Sequence, residues 1–324
     1  MSEHTPVLVE EVIKLLSPKP GDTLLDATLG HGGHARAFLE AAGEGASVIG
    51  VDADEDALAV ARENLKEYKD RVTYTQGNFF SLPDVQVHAI LFDLGIGSHQ
   101  IADGKRGFSF SSEAPLKMQY GEADSLPQSH LEPINELTRR LNHYPDAHEL
   151  LDLLSPLALA DMVRIYGEER YAGVVANAIS GSRPVGTAKA LAKVIEEAVP
   201  KSYEKGRIHP ATRTFQALRI AVNRELEVLE AALPKAVERL LPGGVLAVIS
   251  FHSLEDRIVK RYFKSEATGC ICPPQQAVCT CDHKARLTLL TKKPLVASEE
   301  EKKKNPRSRS AKLRAAQKIP DQNE

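Results

Sequence analysis

The chain has 324 residues, 42% of them hydrophobic, 26% charged and 5% aromatic, with no tryptophan. That length and balance suit about two domains with a buried core, and exclude a disordered chain, a collagen-like repeat and a disulfide scaffold. The formal net charge of −3 and a pI near 6.4 argue, over the whole chain, against a nucleic-acid binder.

The N-terminal stretch MSEHTPVLVEEVIKLL carries acids early and lacks the basic-then-apolar layout of a secretory signal. No run of about 18 apolar residues occurs, so no membrane span is expected. The cysteines cluster instead of forming a framework, and a cytoplasmic location is expected. Thr23–Gly30 (TLLDATLG) predicts a buried strand ending in a glycine-rich turn, followed by a helix to about Ala41. Ser47–Asp54 predicts a second strand, Asp56–Tyr68 a helix, Arg71–Asn78 a third strand and Val87–Gly95 a fourth. Strands alternating with such helices predict right-handed βαβ units and a parallel sheet.

From about Ser111 to Pro210 the pattern is helical only. Ser155 and Pro156 form a good start for a helix to Gly167. Further helices are expected over Glu168–Ser180 and Thr187–Val199, with loops at Gly181–Gly186 and Pro200–Pro210. The α/β pattern then resumes. Ala211–Leu233 predicts one long amphipathic helix, Pro242–Phe251 a fifth strand, Ser253–Phe263 a helix capped by Ser253, and Arg286–Lys293 a further strand. The expected organisation is an α/β domain in two parts, 1–110 and 209–298, interrupted by a helical domain over 111–208 and ending in a mobile basic tail, 299–324.

The first candidate site is the run from Asp26 to His34, DATLGHGGH. Glycines after the first strand let backbone amides approach a ligand at a helix N-terminus, although a tight βα turn with no ligand uses the same residues. Asp52 ends the second strand about 20 residues later, where a carboxylate accepts hydrogen bonds from ribose hydroxyls. Turn and acid together point to a nucleoside-bearing cofactor, NAD or S-adenosylmethionine (SAM). Phe79 follows the third strand and can flank an adenine or belong to the core. Asp93 follows the fourth and can accept a hydrogen bond or offset a sulfonium charge. In a doubly wound sheet these strand ends open into one crevice, and their chemistry favours SAM over NAD.

Two stretches carry concentrated positive charge. Lys201–Arg224 holds Lys201, Lys205, Arg207, Arg213, Arg219 and Arg224 against Glu204 alone, a balance of +5. Lys302–Lys318 holds eight Lys and Arg with no acid. Such patches neutralise phosphates; a solvated helix face and a soluble tail have the same composition. Cys270, Cys272, Cys279 and Cys281 fit a four-cysteine zinc knuckle, with His283 as a spare ligand, or four reduced thiols; the spacing leaves both open.

The chain resembles the MraW/RsmH-type 16S ribosomal RNA (cytosine N4)-methyltransferases. The resemblance is carried by HTPVLVEEV at 4–12, DATLGHGGHARA at 26–37, FDLGIGSHQ at 92–100 and RGFSF at 106–110. It continues through YGEERYA at 166–172, HPATRTFQALRIAVNREL at 209–226, GGVLAVISFHSLEDRIVKRYF at 243–263 and NPRSRSAKLR at 305–314. It implies a class I SAM-dependent, Rossmann-like methyltransferase sheet interrupted by an inserted all-helical domain. It also implies SAM contacts at Gly32, Gly33, His34, Asp52, Phe79, Asp93 and Gln100, and the RNA of the small ribosomal subunit as partner.

An exocyclic cytosine amine is a poor nucleophile, so the enzyme must align nitrogen, methyl and sulfur and accept a hydrogen bond from the amine. The base must be single-stranded or extruded. Asp93 is the candidate acceptor, with His252 and Ser253 candidates for the acceptor side unless they simply cap a helix. Arg207, Arg213 and Arg219 are candidates for RNA contact. Relative to the family, Gly97 and His99 replace a Ser and a Pro, Lys117 and Gln119 replace an Asp and an Arg, and the 119–146 segment differs, all near where the target base should dock. The alternatives are a nicotinamide-dependent Rossmann oxidoreductase and a non-catalytic RNA-binding ribosome-assembly factor.

Overall fold

The alternating β-rich and helical runs of the first hundred residues do build parallel βαβ units. A computed structural model describes residues 6–97, 104–121, 126–273, 275–276 and 278–320. The chain divides into two units, one formed by Met1–Gly95 with Leu229–Glu324 and the other by Ile96–Val228.

Strands β1 (Thr23–Asp26), β2 (Ser47–Asp52), β3 (Val72–Gln76), β4 (Val87–Asp93), β5 (Leu240–Ser250), β6 (Leu287–Leu289) and β7 (Lys312–Lys318) form one sheet in the first unit, in the order β3-β2-β1-β4-β5-β7-β6. Pairs from β3 through β5 are parallel; β7 runs antiparallel to both β5 and β6. This is the class I methyltransferase arrangement, and the order reverses between β1 and β4, where open α/β sheets bind ligands. Helices α1 (Val9–Leu16), α2 (Gly33–Ala42) and α3 (Glu55–Asn64) accompany the first strands. In the second unit follow α4 (Glu132–Leu141), α5 (Ala147–Leu153), α6 (Pro156–Gly167), α7 (Ala172–Gly181), α8 (Ala188–Ala198) and α9 (Thr212–Asn223). Then come α10 (Glu225–Arg239), α11 (Ser253–Glu266) and α12 (Glu299–Lys304). Among the described residues no helix is long and apolar enough to cross a membrane.

Alternate strand residues face opposite layers, as the period of two requires. Leu24 and Leu91 pack with Phe38, Leu39 and Leu58 on one face. Leu25, Ile90 and Phe92 pack with Leu229, Leu233, Val259 and Phe263 on the other. Burying each such side chain contributes about 1.5–3 kcal/mol.

Three features differ from expectation. The long helix over 211–233 is two helices, because Arg224 adopts φ 51, ψ 38 between them. Its buried guanidinium donates to the Ala221 carbonyl at 2.7 Å and to Thr138 Oγ1 at 3.1 Å, satisfying the end of α9, and amphipathic periodicity gives no sign of that. The unit boundaries fall at 95/96 and 228/229, outside the expected 110/111 and 208/209, because α9 packs within the helical unit. The segment from 299 is not a loose tail. It supplies α12 and then β7, which lies between β5 and β6. Arg314 on β7 is buried and paired with Asp256 at 2.7 Å, so a cation that reads as solvated locks the strand to α11.

Candidate active site at the carboxyl ends of the parallel strands

β1, β2 and β4 end side by side, at Asp26, Asp52 and Asp93, in the register Asp26↔Gly50 and Asp26↔Leu91. The ladder continues past the strands: Ala27 N–H donates to the Leu91 carbonyl, Leu29 N–H to Val51, Gly77 N–H to Asp52 and Leu94 N–H to Ile249, all at 2.9–3.0 Å. The loops that follow therefore leave the sheet from fixed points.

The glycine turn is shaped by packing as well as by any ligand. Gly32 sits at φ 81, and a Cβ there would lie 2.7 Å from Leu65 Cδ1. A Cβ on Gly33 would lie 2.7 Å from Pro6 Cγ. Either side chain would push apart the turn and its neighbours, which accounts for the paired glycines at the start of α2. Asn64 Nδ2 donates to the His31 carbonyl at 3.0 Å and pins the turn to the end of α3.

Asp52 ties this turn to the second strand. Its Oδ2 accepts from Gly30 N–H at 2.7 Å and its Oδ1 from Asp54 N–H at 2.9 Å. A carboxylate has about four lone-pair positions, so each oxygen can accept again. Phe79 stands in the turn after β3, half-buried, its ring edge-on to Phe92 with centroids 5.4 Å apart. One side of it belongs to the core, as periodicity allows.

His34 and Asp93 meet beneath the turn. His34 is 6% exposed, and its Nε2 lies 3.5 Å from Asp93 Oδ2. That is an ion-pair approach longer than a good hydrogen bond. Both ring nitrogens of His34, and Oδ1 of Asp93, are buried with no hydrogen-bond partner among the described residues. Unsatisfied buried polar atoms are costly, and these three lie together, which makes the strand ends a candidate ligand site. Burial alone would depress the His34 imidazole, but the Asp93 carboxylate and the charges of Asp26 and Glu301 outweigh it and raise its pKa above the ordinary value.

Two residues at the start of the candidate run, given no role of their own by the sequence, lie beside this pair. Asp26 is buried, and desolvation pushes its carboxyl up to about 7 against the opposing pull of His34. Thr28 Oγ1 accepts from Asp93 N–H at 2.6 Å and fixes the end of β4. An acid at the end of an apolar strand was the available signal for Asp26. Glu301 had none: its Oε1 accepts from Leu8 N–H at 2.9 Å, across 293 residues of sequence.

Other expected site residues are placed differently. Gln100 and His99 lie outside the described residues. His252, not Ser253, caps α11: its Nδ1 accepts from Glu255 N–H at 3.4 Å, while Glu255 Oε2 accepts from Phe251 and His252 N–H at 2.8 and 3.2 Å. Its Nε2 is 3.0 Å from Glu255 Oε1, so the ring is held by the capping box, and Ser253 is the first residue of the helix.

In the helical unit Arg219 is committed to Glu225 through two hydrogen bonds of 2.8 and 3.0 Å, with 15% of its side chain exposed. Arg213 donates to the Glu168 carbonyl at 2.6 Å and to Glu204 at 3.2 Å. Arg207 is exposed and touches Glu204 at 3.4 Å. Of the six cations in that stretch, Lys201, Lys205 and Arg207 face solvent. In the C-terminal stretch Lys303, Lys304, Arg307 and Arg309 do, while Lys318 donates to the Leu240 carbonyl at 2.6 Å.

Comparison with known proteins agrees along the whole length. The sequence profile of the MraW methylase family matches residues 1–319. Proteins named ribosomal RNA small subunit methyltransferase H are similar: that of Solidesulfovibrio magneticus is 46% identical, covering 98% of this chain and 96% of its own. Those of Heliobacterium mobile and Thermomicrobium roseum are 45% and 44% identical, each covering 98% of this chain and 99% and 94% of their own. Among solved structures, an rRNA methylase from Streptococcus thermophilus aligns with 96% of this chain and 93% of its own, at 11% identity and a TM-score of 0.37.

Proposed function

The chain belongs to the MraW methylase family, and on that premise we propose that it transfers a methyl group from SAM to the exocyclic N4 of a cytidine in the 16S RNA of the small ribosomal subunit. Membership of a methylase family sets aside the nicotinamide oxidoreductase and non-catalytic alternatives. The observation that carries the site assignment is the set of buried, unpartnered atoms on His34 and Asp93 at the switch point of the sheet. Those atoms, with the Asp52 carboxylate at the end of β2, suit a polar nucleoside ligand laid across the strand ends.

When bound, SAM supplies an electrophilic methyl group on a sulfonium. Asp52, at the end of β2, would accept from the ribose hydroxyls. Phe79 offers the free side of its ring to the adenine, and Gly32 and Gly33 bring the turn close to the ligand. Gln100, outside the described residues, is a SAM contact on the family resemblance alone. Asp93 accepts a hydrogen bond from the target amine and holds the nitrogen in line, with His34 steadying its other oxygen. Asp93 takes this role ahead of His252 and Ser253 because it ends β4 at the switch point of the sheet, while His252 caps α11 and Ser253 begins it. The solvent-facing cations Lys201, Lys205, Arg207, Lys303, Lys304 and Arg309 supply phosphate contacts, whereas Arg213 and Arg219 position the helical unit. An RNA substrate of this kind puts the protein in the cytoplasm.

The test is mass-spectrometric mapping of ribosomal RNA from cells with and without the gene, with the purified protein and SAM added back. A methylcytidine lost from the small-subunit RNA and restored in vitro is the expected result. An unchanged methylation map overturns the reading.

A further inference from the structure

Between α11 and β6 the chain runs through residues 267–286, and none of those described is buried. A loop of that length with no apolar core needs some other restraint to hold one shape. Its base is clamped: Arg286 donates to Glu266 through N–H at 2.8 Å and through Nε at 2.6 Å, and His283 Nδ1 donates to the Thr268 carbonyl at 2.9 Å. Its far end turns back on itself, with Gln276 N–H donating to the Pro273 carbonyl at 2.9 Å and Gln276 Nε2 to Thr280 Oγ1 at 2.7 Å.

Between base and turn, the two arms each present a Cys-x-Cys pair, and the four sulfurs converge. Sγ of Cys270 is 3.5 Å from that of Cys279 and 3.8 Å from that of Cys281, and Cys279 and Cys281 are 3.6 Å apart. All four, Cys272 included, lie within 4.8 Å of one another. Thiol–thiol hydrogen bonds are too weak to assemble such a cluster on an exposed loop. Zinc–sulfur bonds of about 2.3 Å place the corners of a tetrahedron about 3.8 Å apart, which is the spacing found here. The thiols are free, so no disulfide accounts for it.

We propose that Cys270, Cys272, Cys279 and Cys281 form a structural zinc site that staples the two arms of this loop. Four thiolates complete the tetrahedron and leave no open position, so the ion holds the chain and takes no part in catalysis. His283 is engaged with Thr268 and stands outside the ligand set. The inference is independent of the methyl-transfer reading, since it rests on the loop alone.

The test begins with metal analysis of the full chain, purified without added metal or chelator. About one zinc per chain is expected, falling to background in a Cys270→Ser, Cys279→Ser double variant. Because that variant can fail to fold, the wild-type protein is also stripped with a chelator under reducing conditions. The stripped protein should take up zinc with a Kd of about 10 nM or tighter and give the intense charge-transfer bands of tetrahedral cobalt–thiolate when loaded with cobalt. Protease cleavage within 267–286 should be about tenfold faster in the stripped protein and return to its former rate with zinc. Metal-free protein that cleaves at the same slow rate, a mass loss marking a disulfide, iron in place of zinc, or binding no tighter than micromolar overturns the proposal.

Discussion

At the carboxyl ends of β1, β2 and β4 buried polar atoms lack hydrogen-bond partners among the described residues, whereas half of the basic residues of 201–224 and 302–318 find theirs inside the fold and the other half face solvent. His34 is buried and Asp93 partly so, and three of their buried atoms lack a hydrogen-bond partner among the described residues. Arg219 and Arg314 are largely covered too, but Glu225 and Asp256 complete them. Burial and charge are common to both regions. The difference is whether the partner lies within the chain, and that separates groups that build the protein from groups that await a ligand.

Substitutions can break or sharpen this contrast. Arg314→Ala should cost the most, about 2–3 kcal/mol in urea unfolding, because it leaves the half-buried Asp256 with only Lys312 at 3.5 Å; Lys303→Ala together with Lys304→Ala should change stability by less than about 0.5 kcal/mol. Arg219→Ala should cost about 1–2 kcal/mol by removing two of the hydrogen bonds to Glu225, which keeps that of the Tyr120 hydroxyl, while leaving the salt dependence of RNA binding unchanged. Replacing Lys201, Lys205 and Arg207 together with Ala should leave stability alone, weaken RNA binding and flatten the slope of log K against log salt by about 2. An unchanged slope would place the RNA elsewhere.

A pH dependence at the strand ends follows from the same burial. Asp26 keeps its proton in the folded state up to about pH 7, while the unfolded chain releases it near the ordinary aspartate value of 3.8. Folding therefore takes up a proton in that window, and stability falls as pH rises through it. The raised His34 adds a loss of the same sign, because its folded form holds a proton to higher pH than the unfolded form. Asp26→Asn should be stabilised relative to wild type by an amount that grows from about pH 4 to pH 7 and then levels off. A constant difference across that range would show that Asp26 titrates normally.

Much of the fold was legible because period and punctuation are local. The strand–helix alternation, the glycine turn, the Ser155–Pro156 helix start and the helical insertion all follow from neighbouring residues. What was not legible is long-range. Arg224 splits a continuous amphipathic pattern by reaching Thr138, and Lys312–Lys318 becomes an inner strand through Asp256, 58 residues away from Arg314. The site divides in the same way. Asp52 and Asp93 could be placed because each ends a strand, whereas Glu301, His252 as a cap and the cost of leaving Asp26 buried depend on contacts that no local pattern carries.

The most direct measurement is single-turnover methyl transfer by Asp93→Asn at saturating SAM, alongside wild type, with SAM binding followed by calorimetry. If Asp93 accepts from the target amine, the rate of the chemical step falls by about 100-fold while the protein stays folded and still binds SAM. A wild-type rate in Asp93→Asn would contradict the assignment of the strand-end crevice as the place where the methyl group is transferred.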